Sequence, residues 1–453
     1  MCRPLKRPRI QSLLDITSKR FDTFVDPRTG PTQIKLSDFL KSAYSVFYLK
    51  KPSLLAFEEE YKKDDLILKN IKQLMNIEYI PSDTHLRDVL DLVDYKQYRE
   101  VFKDIFGYVQ QSKLLEQFSL LDINDHKYYL VAVDGTGYFT SQKISCEFCT
   151  QYHEESEEKE TRFGHQVLAA SLVHPDKNEV ISFCPEPIHK QDGRKKNDCE
   201  YNAFKRFLER FKQEHPKLRV IFLLDALYAN TALVKLLEGY DYPYIISVKE
   251  TKSTLFSEFR EDVKNGVAIK EVDTFEIGTD IKKRKVQTYQ YSQNLKLNQD
   301  KDSARVHLIN FEEKISWTNK KGEKKEESKK FSYITNIEPT PRSVRILVKG
   351  GRTRWKIENE TFNTLKNQGY NLEHNYGHGY LNLSMNFINT MFLAFLIDQI
   401  QQAICKKFKK LLEKEGRKYS LWEKIRSMFD VCFYQDWEDF WAITLKERPP
   451  NTC

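Results

Sequence analysis

Asp134 and Asp225 each stand at the end of a short apolar run, residues 128–133 in one case and 220–224 in the other. Runs of that composition read as buried strands. Both carboxylates are therefore expected at the rim of a sheet, where an open α/β sheet presents its ligands. Two carboxylates from neighbouring strands can hold divalent cations between them. Oxygen donors of this kind suit Mg²⁺, which keeps open water positions and binds phosphates. A pair of such ions about 4 Å apart can activate water and stabilise the leaving 3′ oxygen of a phosphodiester. Glu358, on a later helix, would supply a third carboxylate, with Glu360 as its rival. Taken alone, an Asp after a strand is often a turn or N-cap residue.

Other side chains carry weaker signals. Arg354 and Glu358 are four residues apart on a helix and share a face. Arg can grip a phosphate in a forked way, although a plain salt bridge to Glu358 explains it equally. Lys249 and the run Gly193-Arg194-Lys195-Lys196 read as DNA-backbone contacts, or as a solvated loop. Cys146, Cys149 and His153 resemble half of a structural zinc site that His165, His174 or Cys184 could complete. The alternative is scattered core cysteines and a surface His.

The elements that would position these residues follow from periodicity. Residues 1–125 read as a helical N-terminal domain. Leu36, Phe39, Leu40, Ala43 and Phe47 recur at helical spacing, and Ser82 or Asp83 starts a helix before Leu86, Val89 and Leu90. Its basic tail (Arg3, Lys6, Arg7, Arg9) leaves DNA binding or plain packing open as its role. Residues 126–254 alternate strands (166–173, 179–183, 244–248) with helices (199–215, 232–237), which implies an α/β core with one mixed sheet. Residues 255–330 read as a β-rich insertion, with 320–330 as an exposed hairpin tip. The core resumes over 331–400, with a strand at 331–337 and a helix from Arg352 that stops at Asn367-Gln368-Gly369. Residues 381–415 read as one long amphipathic helix, and 401–453 as a helical C-terminal region.

Composition bounds the partners. At 453 residues, 40% hydrophobic and 13% aromatic, the chain can bury real cores, which excludes wholesale disorder. A net charge of +8 with 30% charged residues suits a polyanionic partner. The eight cysteines are scattered apart from the 146/149 pair, which points to a reducing, intracellular setting. The basic start lacks an apolar core, so no secretory signal is expected. The most apolar stretch, 391–397, is too short for a membrane span, so no membrane partner is expected.

Over about residues 128–400 the chain resembles the DDE transposases of bacterial insertion sequences, in particular the insertion-sequence-4-like group. Val133-Asp134-Gly135-Thr136 resembles the strand of the first catalytic Asp. Leu224-Asp225-Ala226-Leu227-Tyr228-Ala229 resembles the strand and turn of the second. The stretch 331–337, with Thr335-Asn336, resembles the strand after the family's β insertion. Arg354-Trp355-Lys356-Ile357-Glu358 resembles the signature helix, whose frame selects Glu358 over Glu360.

The resemblance implies a ribonuclease-H-like catalytic core in which Asp134, Asp225 and Glu358 hold Mg²⁺, with Mn²⁺ as a substitute. It implies phosphate contacts from Arg354 and Lys366, and a flipped base stacked on Trp317, whose other reading is packing within the insertion. It further implies a homodimer on double-stranded DNA with terminal inverted repeats, cleavage at those ends, joining to target DNA, and a cytoplasmic, nucleoid-associated location. Two positions depart from the family pattern: Gly351 stands where the family has Tyr, and Leu365, followed by Lys366, where it has Lys. Two other readings remain open: a DNA-binding protein that has lost transposition, and a ribonuclease-H-like nuclease without strand transfer.

Overall fold

In the computed structural model, which describes residues 9–123, 126–153, 161–189, 198–278 and 282–449, the two apolar runs are neighbouring strands in the middle of one large sheet. Its strands are β1 (Ser119–Ile123), β2 (His126–Ser141), β3 (Thr150–His153), β4 (Thr161–Val173), β5 (Ile181–Ser182), β6 (Glu186–Ile188), β7 (Val220–Leu224), β8 (Tyr244–Ser247), β9 (Ile269–Ile277), β10 (Lys283–Lys296), β11 (Arg305–Thr318) and β12 (Lys324–Thr335). The spatial order is β3-β4-β2-β7-β8-β12-β11-β10-β9, with β1 on β2 and with β5 and β6 on β4. Arg3, Lys6, Arg7 and the 193–196 stretch lie outside the described residues.

β2, β7 and β8 run parallel, and β4 and β12 flank them antiparallel. Parallel strands need crossovers. The helices Glu200–Glu214 and Thr231–Gly239 provide them before and after β7. Val131, Ala132, Val133, Phe222 and Leu223 are fully buried because both faces of this part of the sheet are covered.

The β-rich segment is not set apart from the sheet. β12 pairs with β11 along its whole length, and its last residues also pair with β8, Tyr333 opposite Ser247. The charged 320–330 stretch is a tip only around the turn that Asn319 N–H closes onto Glu323. From Lys324 onward it is exposed strand.

The 381–415 stretch is two helices rather than one. The first, Leu383–Ile404, ends where Cys405 turns extended, and the Cys405 thiol caps the second, Lys406–Glu415, by accepting from Phe408 N–H. Nor is the first amphipathic, because most of its polar residues are buried within the fold. Asn386 Nδ2 donates to the carbonyls of Leu90 and Val93 at 2.7 and 2.8 Å. Gln399 Oε1 accepts from Val180 N–H at 3.1 Å. Polar side chains satisfied this way act as specific ties inside a core. By length and composition alone this helix could cross a membrane, yet nearly all of it is buried within the fold.

The helix Leu36–Tyr48 packs along Leu383–Ile404, so the N-terminal helices share one hydrophobic core with the sheet. Among them, Asp83–Leu92 starts at the N-cap Ser82, which accepts from His85 N–H at 3.5 Å.

Candidate active site

Parallel register brings the two aspartates together. Ala132 of β2 pairs with Leu223 of β7, and Asp134 and Asp225 each lie two residues further along, side by side where β7 ends. Contrary to the expectation of a strand end and Gly turn, β2 continues through Asp134 to Ser141, because its other edge stays paired with β4, Asp134 opposite Ala169. Asp134 Oδ1 accepts from Gly135 N–H at 3.0 Å. Asp225 Oδ1 accepts from Leu227 N–H at 2.9 Å and opens the short turn Ala226–Tyr228. The same Asp225 side chain is therefore both a turn cap and a member of the acidic cluster.

Glu358 arrives on a helical run that changes pitch. An α-helix, Ser343–Arg352, tightens over Thr353–Trp355 and widens to a π-turn over Ile357–Phe362. Wide turns of this kind redirect side chains and are frequent at functional sites. Here Ile357 and Thr361 are buried, Thr361 Oγ1 sits 3.2 Å from Ser171 Oγ, and Glu358 is left exposed.

Arg354 joins the pieces. Its guanidinium lies 3.3 Å from Asp134 Oδ2 and 2.8 Å from Glu358 Oε1. It is thus both the ordinary helix salt bridge and a bridge to the sheet. Glu360 interacts instead with Lys356 and Lys418.

A fourth carboxylate, Glu200, completes the cluster. It opens the crossover helix Glu200–Glu214 and lies directly over Gly135, where any Cβ would overlap its carboxylate. This gives Gly135 a packing reason. Burial, reinforced by Asp134 and Asp225, pushes the Glu200 carboxyl up to about 7. Burial also raises Asp134, with Glu358 and Asp225 adding to it and Arg354 opposing. The hydroxyl of Tyr228, beside Glu200 and Asp225, is buried with no partner among the described residues. Crowded carboxylates and an orphaned hydroxyl beside the end of the central strand β7 form a hard-oxygen donor set short of positive charge, which fits a divalent cation.

The remaining candidates are spread out. Lys249 is exposed just beyond β8, at the same end of the parallel strands as the aspartates. Lys366 pairs with Glu373 at 2.7 Å. Trp317, near the far end of β11, is half-buried with the Lys283 ammonium 4.4 Å from its ring centre. Gly351 has no room for the family's Tyr, since the Tyr333 ring comes within 2.7 Å of where its Cβ would be.

Of the cysteine and histidine candidates, the structure brings Cys146 and Cys149 together with His165 and adds His378 to them. His153 sits on β3 opposite Thr161, and its side chain lies outside the described residues. His174 turns back to accept from Asp176 N–H, and Cys184 is buried beside Asn389.

Residues 125–397 match the family model of the transposase DDE domain. No curated protein matches the chain.

Proposed function

The chain belongs to the transposase DDE domain family, and from that premise we propose that it cuts DNA at the ends of its own element and joins them to target DNA. The observation that carries this reading is the Arg354 bridge, which gathers Asp134 and Glu358 beside Asp225 where the central strand β7 ends. The order β4-β2-β7-β8, with only β4 antiparallel, supports a ribonuclease-H-like core. The signature helix supports the insertion-sequence-4-like group.

Asp134, Asp225 and Glu358 would hold Mg²⁺, or Mn²⁺ in its place, which when bound supplies activation of water and neutralisation of charge on the leaving 3′ oxygen. Arg354 holds Asp134 and Glu358 in place by pairing with both, and its fork is of the kind that grips a phosphate. Lys366 would exchange Glu373 for a phosphate, Lys249 would contact the DNA backbone, and Trp317 would stack on a flipped base. A homodimer would hold two terminal inverted repeats together.

The test is a cleavage and joining assay with the full chain, DNA carrying those repeats, and either Mg²⁺ or a chelator. Cutting and joining that require Mg²⁺ are expected. Cutting without joining would replace the proposal with a nuclease, and binding without cutting with a transposition-deficient DNA-binding protein.

The cluster also predicts a pH effect. Glu200, at about 7 in the fold against an ordinary 4.5, keeps a proton that the unfolded chain gives up. Without a divalent cation, stability must therefore fall as pH rises through that window. A bound cation favours the charged carboxylates. The Mg²⁺-induced rise in Tm is accordingly expected to be larger at about pH 8 than at about pH 5.5. Equal rises at both would separate Glu200 from the cation.

A further inference from the structure

We propose that Cys146, Cys149, His165 and His378 form a closed structural Zn²⁺ site, separate from the acidic cluster and independent of the transposase reading. Zn²⁺ bound tetrahedrally at about 2.3 Å from sulfur and about 2.0–2.1 Å from nitrogen sets the spacing of its ligands. Sulfurs should lie ~3.8 Å apart, nitrogens ~3.3 Å, and mixed pairs ~3.6 Å. The Sγ atoms of Cys146 and Cys149 are 3.9 Å apart. The Nε2 atoms of His165 and His378 are 3.1 Å apart. Mixed pairs measure 3.5, 3.4 and 3.3 Å. All four donors lie within 4.8 Å of one another. A disulfide, at about 2.05 Å between sulfurs, is a different geometry.

The surroundings prepare these atoms as ligands. His378 Nδ1 is 2.7 Å from the Gly379 carbonyl, which can only accept, so Nδ1 carries the proton and Nε2 turns a lone pair toward the cluster. Cys146 N–H donates to Cys149 Sγ, and Cys149 N–H donates to the Cys146 carbonyl at 3.2 Å, which folds the C-x₂-C segment into a tight turn. His165 lies on β4 opposite Phe139 and is stacked against Tyr138. Asp91 accepts backbone N–H groups from Tyr380 to Leu383 at 2.9–3.0 Å, which fixes the segment carrying His378. Four protein ligands leave no open position, so the ion is structural rather than catalytic.

The site ties together three parts of the chain: the loop after β2, β4, and the segment that follows the Glu358 helix. Cys149 and His378 are 229 positions apart. The ion would therefore clamp the strand that carries Asp134 to the return path from Glu358.

Elemental analysis of the tag-free full chain tests this. One Zn²⁺ per chain is expected, with retention in Cys199→Ala, which changes an exposed cysteine away from the site. Cys149→Ser and His378→Ala are expected to weaken Zn²⁺ binding by roughly 100-fold or more. Should those variants fail to fold, chelator-stripped wild type titrated with Co²⁺ gives the answer. Tetrahedral d–d bands with a thiolate-to-Co²⁺ charge-transfer band, saturating at one ion per chain, support the site. Absence of both bands overturns it, as do Zn²⁺ content unchanged in folded His378→Ala or an oxidised Cys146–Cys149 pair in the purified protein.

Discussion

Asp225→Ala is expected to lower Mg²⁺-dependent DNA cutting on the order of 10³-fold or more, the loss that follows when several kcal/mol of charge stabilisation leave a transition state. DNA binding should persist. Phosphate contacts dominate DNA affinity, and removing a negative charge from the DNA-facing rim works in its favour. Because Asp225 also caps the turn to Leu227, the Ala variant should lose about 1 kcal/mol of stability as well. Asp225→Asn separates the two roles. Its amide oxygen can still accept from Leu227 N–H, so stability should return, while cutting should remain low because a neutral amide is a poor Mg²⁺ ligand. Wild-type cutting by Asp225→Asn would remove Asp225 from the metal-holding set.

Part of this site could be read before the fold was known. Asp134 and Asp225 follow runs so apolar that a two-sided buried strand was the natural interpretation, which holds as a strand end for Asp225, whereas β2 runs on past Asp134 because β4 continues to pair with it. Arg354 and Glu358 were readable because their spacing is local. Glu200 was hidden for the opposite reason. An acid in the first turn of a helix is favoured by the helix dipole, so its presence there carried no signal. Only the packing of that helix over Gly135 shows what it faces.

His378 was hidden by distance along the chain. A C-x₂-C pair announces a metal site, but its partners come from β4 and from a segment beyond the Glu358 helix, and no local spacing links them. The break at Cys405 was missed because apolar periodicity runs across it. The central helix was misjudged because its Asn and Gln residues look solvent-facing until their buried carbonyl partners are known. The β insertion was legible as strands, but alternation says nothing of which edge those strands join.

Lys50→Met should destabilise the fold by about 3–5 kcal/mol, a large part of the roughly 5–15 kcal/mol that holds a typical domain together. The Lys50 side chain is fully buried, with its ammonium 2.6 Å from Asp398 Oδ2. It also donates to the carbonyls of Phe47 and Tyr48 at 3.1 Å and lies 3.8 and 3.9 Å from the ring centres of Trp422 and Tyr370. Burial pulls Lys50 down to about 8 even with Asp398 beside it. Removing the ammonium leaves the Asp398 carboxylate in the core with the Tyr370 hydroxyl as its remaining side-chain donor among the described residues.

The loss arises from the stranded charge rather than from a missing attraction. Lys50→Met combined with Asp398→Leu should therefore recover much of it in urea denaturation, a non-additivity expected of a coupled pair. Because Lys50 follows the helix Leu36–Tyr48 and Asp398 lies on Leu383–Ile404, the single variant should also loosen the N-terminal helices from the core. A double variant no more stable than Lys50→Met alone would mean that the lysine stabilises through its stem and its cation–π contacts with Trp422 and Tyr370, with Asp398 incidental to it.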